Sequence, residues 1–178
     1  TLYTEPVSIT DEGTTYFSYA SKDNAANVQD TVEKIVKIDK TAPTVSAGSN
    51  QTKSSQFSQD ATTSDSLSGI ATYQWSKQSG PGTITFGTAA AEDTTISADT
   101  DGEYVIRLTV TDNASNFAYD EFTLTWDTAS PTISAGLPAG QQSAGTDSVV
   151  MSVATDENAF CKYSTVSGTE FASRLDFN

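Results

Sequence analysis

The side chains of this chain that could do chemistry are carboxylates and side-chain amides, and they recur in short polar settings. Asp23-Asn24-Ala25-Ala26-Asn27 returns as Asp112-Asn113-Ala114-Ser115-Asn116, and an aspartate stands ahead of each of two proline turns, Asp39 before Pro43 and Asp127 before Pro131. Asp65 and the pair Asp156-Glu157 lie in two further polar loops. Clustered Asp and Asn oxygens are the hard ligands that Ca2+ gathers, about six to eight at a time. Asp99-Thr100-Asp101-Gly102 opens like a calcium loop but lacks the rest of an EF-hand. Against the ligand reading stands a simpler one, because Asp and Asn are also favoured turn formers that bond their own backbone. Other chemistry fails on residue type. With no histidine in 178 residues there is no Ser-His-Asp or Cys-His arrangement and no histidine-bearing zinc site. Carboxylate pairs could hydrolyse glycosides, but the acidic residues sit in short turns and no insertion is long enough to form a cleft. No enzymatic activity is expected.

The elements that must position these groups read as strands. In Tyr104-Val105-Ile106-Arg107-Leu108-Thr109-Val110-Thr111, one face carries Tyr, Ile, Leu and Val and the other carries Val, Arg and two Thr, the mark of a strand with one buried side. Phe122, Leu124 and Trp126 alternate with Glu121, Thr123 and Thr125, and Ala71, Tyr73 and Trp75 share a side. Turn-forming clusters separate the runs at Asp11-Glu12-Gly13, Ser79-Gly80-Pro81-Gly82 and Asp99 to Gly102. No amphipathic helix is evident. Abundant Thr suits the solvated face of strands.

The chain also repeats itself. Asp39-Lys40-Thr41-Ala42-Pro43-Thr44-Val45-Ser46-Ala47-Gly48 comes back as Asp127-Thr128-Ala129-Ser130-Pro131-Thr132-Ile133-Ser134-Ala135-Gly136. A period near 90 residues fits one β-sandwich of about 100 residues. With each period opened at the proline turn, residues 41–127 form one whole domain. Residues 1–40 are then the back of a domain begun by 128–178 of the preceding copy, and 128–178 the front of a domain finished by 1–40 of the next. Copies would follow one another head to tail, with Asn178 close to the next Thr1. Neither linker, Lys40-Thr41-Ala42-Pro43 or Thr128-Ala129-Ser130-Pro131, contains glycine, and proline holds itself and its predecessor extended, so short stiff joints are expected.

Composition narrows the setting. A formal net charge of −14, a pI near 4.1 and nine basic residues exclude a nucleic-acid partner, since phosphate binding needs Lys and Arg. The window holds neither an apolar run long enough to span a membrane nor a charged leader with an apolar stretch behind it. The single cysteine, Cys161, excludes a disulfide framework within a domain; it reads as a small buried strand residue or as a partner for another chain. Asn50-Gln51-Thr52 and Asn113-Ala114-Ser115 are sequons that a glycosylating host could use.

Tyr73-Gln74-Trp75-Ser76, Ser79-Gly80-Pro81-Gly82, Asp101-Gly102-Glu103-Tyr104 and Leu108-Thr109-Val110-Thr111-Asp112 together resemble the polycystic kidney disease (PKD) type of immunoglobulin-like domain, found in large bacterial and archaeal surface proteins. Asp156 to Ser164, continued by Asp11 to Pro43 of another copy, is similar to the bacterial immunoglobulin-like modules that alternate with such domains in adhesins and exoproteins. The resemblance implies an all-β fold of tandem immunoglobulin-like sandwiches at the cell surface or outside the cell. In such sandwiches a tyrosine at the start of the F strand braces the preceding corner, the place of Tyr104; Ile106 replaces the cysteine of antibody domains, and Trp75 is expected at the core centre. The B–C and F–G loops lie at the end where the chain enters. That end would gather Asp39, Asp65, Asp112 and Asn116 at one junction. Asp127 and Asp156, with Asp23 and Asn27 of the next copy, would gather at the other, each a candidate Ca2+ site. The expected function is that of a structural repeat unit, giving length and stiffness to an extracellular fibre, stalk or adhesin. The alternative is an accessory carbohydrate-binding module of a secreted protein with glycans as partners, which exposed aromatics on one flat face would favour. Tyr3, Phe117 and Tyr119 are the aromatics not assigned to an apolar face.

Overall fold

The structure is a computed structural model that describes residues 5–138, 140, 143–146 and 148–176. Tyr3, and the termini Thr1 and Asn178 invoked for the joint between copies, lie outside the described residues. The chain divides into two compact units, Thr1–Thr128 and Ala129–Asn178.

The first unit opens with a hairpin of β1 (Gly13–Tyr19) and β2 (Val32–Ile38), paired from Gly13 opposite Ile38 to Tyr19 opposite Val32. After the proline turn come β3 (Thr44–Ser46), β4 (Gln51–Lys53), β5 (Phe57–Gln59), β6 (Thr62–Ser64), β7 (Ile70–Ser79), β8 (Ile84–Phe86), β9 (Thr94–Ala98), β10 (Gly102–Asp112) and β11 (Phe117–Trp126). One sheet runs β4-β11-β10-β7, with β4 parallel to β11 and the rest antiparallel; β5-β9-β8 form a second sheet, and β3 pairs with β6. This is a two-layer sandwich, and the alternation in the sequence accounts for it. Tyr104, Ile106, Leu108 and Val110 of β10 and Leu124 of β11 are fully buried, with Phe122, Trp126 and Trp75 nearly so, against Ala47 and Ile96. Each large apolar side chain taken fully out of water contributes about 1.5–3 kcal/mol. Trp75 stands at the centre as expected: its ring meets Phe122 edge-on at 6.2 Å, and its indole N–H donates to the carbonyls of Ala91 and Glu92 at 3.1 Å each. Of the run 71–75, Tyr73 is half-buried and Ala71 exposed, so the core face of β7 begins one step later than the alternation implies.

The corner before β10 explains the glycines around it. The Tyr104 hydroxyl donates to the Thr100 carbonyl at 2.5 Å, and burial, followed by the negative charge of Asp99, pushes the phenol pKa up, so it stays a donor. Gly80 has φ +114°, and a Cβ there would meet the Tyr104 ring at 2.6 Å; Gly102 has φ +145°, with Pro81 equally close. Only glycine allows both the backbone conformation and the approach.

The second unit is a set of small pairs. β12 (Ile133–Leu137) pairs with β13 (Ser152–Thr155), and β14 (Lys162–Tyr163) with β15 (Leu175–Asp176), beside a 3-10 turn at Phe171–Ser173. No described helix is long and apolar enough to cross a membrane.

Candidate metal centre

The two copies of the Asp-Asn-Ala motif build the same turn. In β10–β11, Asp112 Oδ1 accepts the N–H groups of Ala114 and Asn116 at 2.8 Å each, and the Asn116 amide donates to Oδ2 at 2.8 Å. Beyond β1 and before β2, Asp23 Oδ1 accepts from Ala25 at 2.9 Å and Asn27 at 2.8 Å, and the Asn27 amide donates to Oδ2 at 2.7 Å. The residue three past the aspartate is left-handed in both, Ser115 at φ 74° and Ala26 at φ 72°. These aspartates therefore lock a tight connection, which the residue order makes possible without any ion. In the exposed copy the Asn27 side chain, then its backbone N–H, holds the Asp23 carboxyl below its ordinary value.

One of these turns stands in a larger cluster. Carboxylate oxygens of Asp39, Asp65 and Asp112 all lie within 4.8 Å of one another, and among the described residues they are the one acidic group so gathered. Different parts of the chain supply them: Asp39 follows β2, Asp65 follows β6, and Asp112 ends β10. The loop after Asp65 wraps back, so that all four hydrogen bonds to this carboxylate, from the N–H groups of Leu67, Ser68 and Gly69 and the Ser68 hydroxyl, end on Oδ1. None of these four ends on Oδ2. Those bonds, led by the one from Gly69, pull the Asp65 pKa down and keep the group ionised. The Ser68 N–H is shared with Asp39 Oδ2 at 3.1 Å, while Asp39 Oδ1 takes the Thr41 N–H at 3.0 Å. Asn116 enters as a donor, its amide nitrogen reaching the Asp39 carbonyl at 3.3 Å as well as Asp112. None of the three carboxylates makes an ion pair; the described ion pairs are Arg107–Glu121 and Lys162–Asp176. An oxygen-only set of three close, unneutralised carboxylates fits Ca2+ in donor type and charge.

A second device fastens the same linker, and reading the sequence missed it. Glu12 Oε1 accepts the Lys40 N–H at 2.9 Å and the Thr41 hydroxyl at 2.6 Å, while the Lys40 ammonium reaches the Thr10 carbonyl at 2.8 Å. Asp101 treats Thr128 in the same way, accepting its N–H at 3.0 Å and its hydroxyl at 2.9 Å. Each clamp joins the acid before a strand-opening glycine to the threonine after the linker aspartate. The available signal was the repeated acid-Gly pair, Glu12-Gly13 and Asp101-Gly102, at the period of the repeat. The Thr41 hydroxyl, first among several bonds, lowers the Glu12 pKa.

The other candidate ligands occupy separate settings. Asp23 and Asn27 are in their own turn, Asp127 follows β11 with its N–H on the Lys53 carbonyl at 3.0 Å, and Asp156 follows β13 in the second unit. There Asp156 takes the Thr132 hydroxyl and, at 2.8 Å, the Thr132 N–H; the hydroxyl is the larger cause of its lowered pKa. Of the sequons, the Asn113 amide nitrogen that a glycan would use already donates to the Ser68 and Gly69 carbonyls at 2.8 and 3.0 Å. The Asn50 side-chain oxygen Oδ1 accepts the Thr123 N–H at 2.8 Å. Cys161 is a half-buried free thiol.

Comparison with known proteins singles out the sandwich. No curated protein matches the chain. The solved PKD domain from the KIAA 1837 protein is similar to it at 20% identity and a TM-score of 0.37, over 46% of this chain and 83% of that one. Residues 44–125 match the family described as K319L-like, PKD domain. The strands β3 to β11 thus make up a PKD domain, an immunoglobulin-like β-sandwich.

Proposed function

We propose that this chain is a structural repeat unit of an extracellular fibre, stalk or surface adhesin, and that Ca2+ bound by Asp39, Asp65 and Asp112 stiffens the joint between successive domains. The observation that carries the reading is the way the linker is held. Asp39 bonds Ser68 of the loop after β6, Asn116 of the β10–β11 turn bonds the Asp39 carbonyl, and Glu12 grips Thr41 from the preceding hairpin. Three carboxylates drawn together at such a joint repel one another until a cation bridges them. Extracellular modules bind calcium at about 10⁻⁴ to 10⁻³ M, so the ion would be bound outside cells and lost in chelator. Calcium titration of the intact chain by calorimetry, with scattering alongside, tests this. Binding should accompany a narrower spread of particle lengths and a higher melting temperature, and Asp39→Ala should blunt both. Absence of calcium binding, or an unchanged response in Asp39→Ala, would refute it.

The carbohydrate-binding alternative gains one observation. Phe117 and Tyr119 are 63% and 54% exposed on the solvent side of the PKD sheet. The Arg107 guanidinium, paired with Glu121, lies 4.0 Å from the Tyr119 ring centre and occupies the surface on which a sugar would stack, so the structural reading is preferred.

A further inference from the structure

The hairpin β1–β2 reproduces β10–β11 strand for strand but lacks what covers the latter. Gly13 opposes Ile38 as Gly102 opposes Trp126, Thr15 opposes Val36 as Tyr104 opposes Leu124, and Phe17 opposes Lys34 as Ile106 opposes Phe122. Both hairpins carry the locked Asp-to-Asn turn described above. In the PKD domain β7 takes the outer edge of β10, β4 takes that of β11, and the inner face is sealed by the opposite layer. β1 and β2 form a sheet of two, and Tyr19, on the face corresponding to the sealed one, is 48% exposed.

The second unit has the complementary shortage. β12 pairs with β13 as β3 pairs with β6, each pair followed at once by an aspartate, Asp156 or Asp65. Cys161-Lys162-Tyr163-Ser164 then stands where Tyr73-Gln74-Trp75-Ser76 stands in β7. Several apolar side chains of the unit are uncovered: Ile133 is 70%, Met151 58% and Phe160 95% exposed. A few singly exposed apolar residues are ordinary, but this many in about 50 residues is a core without its other half.

We infer that residues 129–176 of one copy and the β1–β2 hairpin of a second copy close into one immunoglobulin-like sandwich, β1 joining the edge of β14 as β10 joins β7. The complete domain in the same chain specifies the occupant, since it displays what seals a hairpin of this register and turn. The inference rests on the repeat-unit reading, but it is independent of whether the Asp39 cluster binds calcium.

The register supplies the test. Val110 opposes Tyr73, and Ser21 precedes Asp23 as Val110 precedes Asp112, so Ser21 of one copy should oppose Cys161 of another. The full chain carrying Ser21→Cys, oxidised mildly and run without reductant, should give a ladder of disulfide-linked dimers and longer species. The ladder should vanish when Cys161→Ser is added, and wild-type chain should gain mass with concentration in sedimentation. An internally linked monomer would overturn the inference, because the two halves would then pair within one chain. So would absence of cross-linking with a monomeric wild type, or an equal ladder from Ser18→Cys, which points to the opposite face of β1. A failed ladder with calcium binding intact would refute the pairing alone; a ladder without calcium binding would refute the cation site alone.

Discussion

Asp112 belongs both to a turn and to an acidic cluster, and Asp112→Ala separates the two roles. The residue is 2% exposed, and its carboxylate accepts three hydrogen bonds of 2.8 Å, from Ala114, the Asn116 backbone and the Asn116 side chain. A typical bond of this kind contributes about 1 kcal/mol net, so losing all three should cost the PKD domain about 3 kcal/mol. For a domain of this size each kcal/mol lowers the melting temperature by about 4–8 °C, giving a fall of about 12–24 °C. Thermal unfolding followed by circular dichroism in chelator reads the turn contribution alone. Repeating the melt in about 1 mM calcium, inside the range in which extracellular sites fill, reads the ligand contribution. Wild type should gain stability on adding calcium, and the variant should gain little, so the gap between them should widen. The same substitution at Asp23, in an exposed turn of equal geometry, should be milder and should leave the first joint's calcium response unchanged. A fall below about 4 °C for Asp112→Ala in chelator would refute the account of the turn, since that is the effect of about one hydrogen bond or less. A constant gap with and without calcium would remove Asp112 from the cation site.

Two further expectations follow from local geometry. Tyr104→Phe strips the hydroxyl that braces the corner at Thr100 and should lower the unfolding free energy by about 1–2 kcal/mol without changing the denaturant slope, as chemical denaturation would measure. Asp65, Asp156 and Glu12 have pKa values held below the ordinary carboxylate range by the hydrogen bonds they accept. A carboxylate with a depressed folded pKa contributes its full stability above the unfolded value and loses it as pH falls through the folded one. The melting temperature in chelator should therefore fall through these groups as pH drops from about 5 downward, and Asp65→Asn should flatten part of that acid limb. An unchanged limb would show that the loop bonds to Asp65 do not distinguish its ionised form.

What the sequence determined by itself is what depends on near neighbours or on strict period. Alternation at 104–110 and 122–126 fixes which side chains face inward, because successive residues of a strand point to opposite sides. The Asp-to-Asn turns are legible for the same reason, as their bonds span two and four residues. Combined with a sandwich topology, the sequence also indicated that the loops holding Asp65 and Asp112 approach Asp39. Tertiary structure alone decided how. The clamps from Glu12 to Thr41 and from Asp101 to Thr128 reach across 29 and 27 residues, and the bond from Asn116 to Asp39 across 77. Such contacts depend on where the packed core delivers each loop, which no local pattern encodes. The role of Asn116 was fixed in the same way: an amide can accept or donate, and only the placement of Asp112 and the Asp39 carbonyl around its nitrogen makes it a tie between them. Phe117 and Tyr119 alternate like core residues, yet they lie on the outer side of β11, because the register with β10 sets them opposite Thr111 and Thr109 rather than opposite the buried row.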